Sequence, residues 1–144
     1  MKRQEIIENI KVRAGKDILD FQDRSKNRIY FTVSNPALVP LVKYLYNDAG
    51  ARFITASGVD TRKAIEILYH FSIDETGLIV SLRVILAKPE PETETLTGVM
   101  KGAEWIEMEI HEMLGVNFKG HPNLRHLLLK EDWPKGNYPL RRDR

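Results

Sequence analysis

The chain predicts an α+β fold: a small mixed or antiparallel sheet flanked by helices, with an extended C-terminal arm. Three observations lead there. Apolar residues alternate at 28–33 and 64–71, and turn-forming clusters lie beside both stretches, so the strands come as hairpins. Residues 2–12, 34–47 and 103–114 instead repeat apolar side chains at three-and-four spacing, which a helix gathers onto one side. Beyond residue 131, Pro134, Gly136 and Pro139 break any regular pattern, yet Trp133 and Tyr138 need cover.

In the first helix Ile6, Ile7 and Ile10 form the packing side, and Gly15 ends it. Residues 17–33 read as a hairpin. Ile18, Leu19 and Phe21 lie in one arm, and Ile29, Phe31 and Val33 share a face of the other. Residues 23–27 make the turn. The second helix opens at Ser34-Asn35-Pro36, with proline near its first position. Its stripe is Leu38, Leu41, Val42 and Leu45, and residues 47–50 stop it. Pro40 lacks a backbone donor, so the regular helix is expected either to begin there or to bend there.

A short strand follows at 52–57, with Gly58-Val59-Asp60 expected to break it. Residues 64–71 set Ile65, Ile67, Tyr69 and Phe71 against Glu66, Leu68 and His70. After a turn at 74–77, residues 78–86 (LIVSLRVIL) are apolar on nearly both faces, which marks a central strand covered on both sides. Residues 88–95 read as a solvated Pro and Glu loop. In the helix at 103–114, Ile106, Ile110, Met113 and Leu114 lie on one face, and Glu104, Glu107 and His111 on another. Trp105, Met108, Glu109 and Glu112 make a third, semi-apolar face that a monomer does not need. Gly115 caps the helix, 116–118 is extended, Gly120-His121-Pro122 turns a corner, and Asn123 starts a short helix with Leu124, Leu127 and Leu128.

Composition narrows the chemistry. At 144 residues one domain is expected, with 1–102 as the α+β scaffold part and 103–144 as the signature helix and docking tail. The absence of cysteine removes disulfides, thiolate zinc sites and Cys-ligated iron–sulfur clusters. A net charge of +2 sets up no strong field for a polyanion. No apolar run nears the roughly 20 residues of a membrane-spanning helix, and the N-terminus lacks a signal-peptide core. Membrane association is therefore expected to come through a partner.

Residues 105–143 carry a run of motifs: Ala103, Trp105, Glu107 and Glu109 on the helix, then Gly115, Phe118, Gly120-His121-Pro122, Leu124-Arg125, Asp132-Trp133 and Pro139-Leu140-Arg141 with Asp143. In order and spacing this resembles the 30-kDa subunit family of respiratory complex I, with its homologues in membrane-bound, energy-converting nickel–iron hydrogenases. Met108, Glu112, Asn123 and Arg142 depart from the family pattern, and Met108 removes a cation between the two glutamates. The resemblance implies a cofactor-free, non-catalytic peripheral-arm subunit at the cytoplasmic face of the membrane. It would dock beside a hydrogenase-large-subunit-like partner of the 49-kDa type and a small iron–sulfur subunit. The expected docking residues are Trp105, Glu107, Glu109, His121, Arg125, Trp133, Arg141 and Asp143, with the arginines forking onto partner carboxylates and Trp133 filling a pocket.

Two other readings compete. Glu107, His111 and His121, with His126 nearby, could supply metal ligands of a stand-alone enzyme. Arg125, Arg141, Arg142 and Arg144 could meet nucleic acid, but the helix before them is acidic. Glu107 and Glu109 point to different sides of the helix, a poor acid–base pair. Nucleotide-binding and nucleophile-elbow motifs are missing from the sequence. On the sequence alone, the variant Arg141→Ala plus Trp133→Ala should stay folded yet leave its complex, which co-purification checks.

Overall fold

Isoleucines three and four apart hold the first helix down. In α1 (Arg3–Ala14), Ile6, Ile7 and Ile10 are buried, and Gly15 ends the helix at φ 52°. The structure, a computed structural model, describes residues 2–124, 134 and 136–141. After one 3-10 turn (Gly15–Asp17) come β1 (Ile18–Ser25), β2 (Arg28–Val33) and α2 (Asn35–Lys43). A wider π-helical turn (Tyr44–Asp48) leads to β3 (Arg52–Asp60), β4 (Ala64–Ile73) and β5 (Leu78–Ala87). The short β6 (Glu92–Glu94), helix α3 (Ala103–Leu114) and β7 (Asn117–Lys119) complete the order.

Five strands form one sheet in the order β1-β2-β5-β4-β3, and β6 and β7 form a second. β1 and β2 are antiparallel; β2 and β5 are parallel, with Tyr30 beside Ser81 and Thr32 beside Arg83. Connections as short as 61–63 and 74–77 can join only antiparallel neighbours. The α+β class with a mixed sheet is therefore what the chain adopts.

By its internal contacts the chain divides into two compact units, Met1–Thr55 with Leu68–Val84 and Ala56–Ile67 with Ile85–Arg144. The second takes in residues 103–144 together with 56–67 and 85–102; β3, β4 and β5 contribute to both. In the first unit Ile6, Ile10, Ile29, Phe31, Leu38, Leu41, Val42, Leu45, Phe71, Val80 and Leu82 lose essentially all exposure. Phe21 packs on Phe31 with ring centres 4.6 Å apart, and Phe53 on Phe71 at 5.5 Å. Arg3 of α1 pairs with Asp23 of β1, and Asn9 donates to the Tyr44 hydroxyl at 3.0 Å.

The sequence reading needs correction in several places. α2 begins at Asn35 and continues through Pro40, which forfeits one backbone bond while Leu38, Leu41 and Val42 are buried around it. The first hairpin's strands reach Ser25 and Arg28, so the loop is only residues 26–27. β3 does not stop at Gly58 but runs to Asp60. A Cβ at Gly58 would sit 2.5 Å from Leu114 Cδ1 and 3.4 Å from Ile110 Cγ2, so the glycine marks where α3 crosses close to the strand. β5 is central, but only the Leu78, Val80, Leu82, Val84, Leu86 side is fully buried; Ile79 and Arg83 are half-buried and Ile85 is 49% exposed. Within the 88–95 loop, residues 92–94 add a strand that pairs in parallel with β7.

Gly58→Val should destabilise the protein by about 1–3 kcal/mol through overpacking against Leu114, read from chemical denaturation. Adding Leu114→Ala should recover part of that loss; a neutral Gly58→Val would contradict the close crossing.

Candidate functional site

The site is helix α3 and what holds its two ends, all within the second unit. A turn at residues 96–100, with Val99 and Met100 N–H on the Leu96 carbonyl, leads into the helix. Its end is a left-handed Gly115 at φ 76°, whose N–H returns to the His111 carbonyl at 2.9 Å.

Glu107 is completely buried. Oε2 accepts the Leu96 amide at 2.8 Å and Oε1 accepts the Thr95 hydroxyl at 2.5 Å. His121 Nε2 lies 3.9 Å from Oε1. Burial raises the Glu107 carboxyl above its ordinary range; the Thr95 hydroxyl, the Leu96 amide and His121 pull the other way. The Asn123 amide donates to His121 Nδ1 at 3.0 Å, so the hydrogen-bond pattern places the ring proton on Nε2, which then donates to the Glu104 carbonyl at 3.0 Å. The expected corner histidine bonded to a backbone carbonyl is thus present, with Gly120 at φ 84° beside it.

The far end of α3 is closed by the tail. Arg141 is 7% exposed, and its fork donates to the Leu114 carbonyl and the Pro89 carbonyl, each at 3.0 Å. Leu140 N–H donates to the Met113 carbonyl at 2.9 Å. The bonds to Met113 and Leu114 satisfy carbonyls that the last helical turn leaves open, where a cation is also favoured by the helix dipole. Tyr138 lies over Gly115, where a Cβ would meet its ring at 2.5 Å. Here the sequence reading is corrected: the described part of the tail folds back on its own unit, and the Arg141 fork serves the chain's own carbonyls.

The predicted residues therefore separate by role. Glu107, His121 and Arg141 are internal. Trp105 is 58% exposed and Glu109 is half-buried. Arg125, Trp133 and Asp143, and the short helix expected from Asn123, lie outside the described residues. The helix faces also differ from the sequence reading: Ala103, Glu107, Met108, Ile110, Glu112 and Leu114 are the buried set, so two acids point inward. Thr95, Leu96 and Pro89 went unrecognised. Their roles depend on the β6–β7 pairing and on the chain's return, which leave no periodic mark in the sequence.

Of the residues of the metal reading, His126 lies outside the described residues, and the others are engaged elsewhere. His111 Nδ1 donates to the Val116 carbonyl at 2.8 Å, and both His121 nitrogens are occupied as described. Among the described residues no three His, Asp or Glu side chains converge. A hollow of about 430 Å³ opens between Thr97, Gly98, Lys101, Glu104, Gly120 and Pro122, on the shoulder of α3 next to Trp105 in sequence.

Comparison with known proteins adds the context. Residues 31–144 match the family described as respiratory-chain NADH dehydrogenase, 30 Kd subunit. The C subunit of F(420)H(2) dehydrogenase from Methanosarcina mazei is 36% identical over 91 residues, covering 62% of this chain and 57% of that protein. The C/D subunit of NADH-quinone oxidoreductase from Methylococcus capsulatus is 30% identical over 119 residues, covering 74% of this chain and 20% of that protein. The chain thus spans little more than half of one relative and a fifth of the other. An archaeal respiratory membrane complex, the membrane-bound sulfane sulfur reductase, contains a chain of the same fold: TM-score 0.84 at 20% identity, over 98% of this chain and 84% of that one.

Because the folded state raises the Glu107 carboxyl, the stability from its bound proton is fully present below the ordinary value of 4.5 and is lost as pH rises through the folded value. Glu107→Gln removes this titration. The melting-temperature difference, Gln variant minus parent, should therefore grow from pH 4.5 upward and then level off; a pH-independent difference would refute the raised carboxyl. Arg141→Ala leaves the buried Leu114 carbonyl without its side-chain donor and frees the part-buried Pro89 carbonyl, and should cost about 1–3 kcal/mol, measured by urea titration.

Proposed function

The chain belongs to the respiratory-chain NADH dehydrogenase 30-kDa subunit family, and we propose that it is a cofactor-free docking subunit of a membrane-associated oxidoreductase, of complex I or energy-converting hydrogenase type. Its partner is the hydrogenase-large-subunit-like, 49-kDa type subunit, with a small iron–sulfur subunit in the same assembly. It sits peripherally on the cytoplasmic face and reaches the membrane through those partners. Among the described residues no helix is long and apolar enough to cross a membrane.

The observation that carries this reading is the division of labour on α3. Glu107 and Glu112 are buried, while the large apolar side chain, Trp105, is left at the surface. A folded monomer gains by the opposite arrangement. A tryptophan held out on a helix anchored at both ends is the kind of rigid aromatic anchor that concentrates binding energy at interfaces. Partner identity draws on the relative that carries a joint C/D designation: its match occupies a fifth of one longer polypeptide. A segment fused to its neighbour in one organism is expected to meet the equivalent neighbour as a separate chain in another. The lack of cysteine leaves no thiolate to hold an iron–sulfur cluster in this chain.

Trp105→Ala should leave the melting curve of the isolated chain within about 0.5 kcal/mol of the parent, as for a surface change. It should weaken retention in complexes purified from native membranes by about 30-fold or more, the effect of losing an aromatic anchor worth about 2 kcal/mol. Unchanged retention would reject the α3 surface as the dock.

A further inference from the structure

One face of the large sheet carries its own recognition chemistry, within the first unit. Side chains alternate across a strand, so Arg28, Tyr30 and Thr32 share a face of β2. The parallel register sets Ile79, Ser81 and Arg83 of β5 beside them. His70 Nδ1 lies 2.7 Å from Ser81 Oγ, and Arg83 donates to Thr32 Oγ1 at 3.3 Å, which puts all of these groups on one side of the sheet. The opposite side carries Ile29, Phe31, Val80 and Leu82, all without exposure.

Two features make this face more than a solvated surface. First, the β1–β2 register shifts between Asp23 and Ser25, leaving Arg24 as the extra residue of a bulge. A bulge re-aims its side chain, and here the Arg24 guanidinium lies over the Tyr30 ring, 5.3 Å from its centre, with Nε donating to Gln22 and its terminal nitrogens outside that bond. Second, Arg28 is exposed and no ion pair or side-chain hydrogen bond holds it among the described residues. Its charge reaches His70, which burial first and Arg28 second push below its ordinary value, so the positive charge of this face is carried by arginine. Arginine and tyrosine stacked on a rigid sheet, beside half-buried Ile79, make a platform with directed donors and little entropy to lose.

We propose that this face, centred on Arg24, Arg28, Tyr30 and Ile79, docks a carboxylate-bearing segment of a second subunit. The proposal rests on the reading of this chain as a docking subunit and adds a contact in its first unit, where the Trp105 surface belongs to the second. Charge complementarity selects the occupant: the arginine fork matches carboxylate pairs, and Tyr30 and Ile79 supply apolar area that a bare polyanion would not use.

The test replaces Tyr30 with the photo-crosslinker p-benzoylphenylalanine, and separately Trp105, in the complex isolated from native membranes through a tag on this chain. The expected result is a Tyr30 adduct to an Asp- or Glu-bearing peptide of another subunit. Arg28→Glu should reduce it at least tenfold, and Arg28→Lys should keep most of it. Adducts from Trp105 but none from Tyr30 would overturn this face and leave the subunit reading intact. Adducts from neither would overturn both. A Tyr30 adduct to lipid, to nucleic acid or to a peptide without carboxylates would overturn the proposed occupant.

Discussion

A carboxylate taken wholly out of water must be met by donors, and Glu107 is that carboxylate here. It draws in the Leu96 amide and the Thr95 hydroxyl, with His121 a little beyond hydrogen-bond range. Thr95 and Leu96 follow β6 in the stretch that leads into α3, and His121 comes from the corner after β7. One buried group thus ties the stretch before α3 to the helix, with the corner after β7 packed beside it. Uncompensated burial of such a group costs several kcal/mol, so the surrounding backbone has few alternative arrangements.

The other end of α3 is settled by the same rule applied to carbonyls. The last turn exposes acceptors without donors, and Arg141, returning from the tail, supplies a planar pair of N–H groups to Leu114 and Pro89. Gly115 is required twice at this point, by its left-handed backbone and by the Tyr138 ring lying where a side chain would be. With both ends closed, α3 presents Trp105 as a fixed feature rather than a mobile one. Much of the run of motifs that identifies the family consequently reads as internal carpentry: glutamate, histidine and arginine that hold a surface rather than form it.

The charges elsewhere follow a different logic. Arg52 and Asp74 pair in the open, as do Arg13 and Asp48, and exposed pairs of this kind contribute little. In the docking face proposed above, the arginines of the β1–β2 tip serve recognition rather than stability. Their positions follow from strand register and one bulge, which no count of basic residues reveals.

From the sequence by itself came the α+β class, the bounds of α3 at 103–114, the apolar stripes of α1 and α2, the central place of β5 and the family. All of these depend on short-range periodicity or on motif spacing, which the chain carries locally. The tertiary structure alone decided that Glu107 and Glu112 face inward, that Gly58 lets a helix approach instead of ending a strand, that 92–94 pairs with 117–119, and that Arg141 closes a helix. Each depends on which distant segment supplies a donor, an acceptor or a clash. Periodicity treats an acid as solvated because burying one is costly, and only the folded chain shows where two donors, with His121 close by, have been assembled to offset that cost.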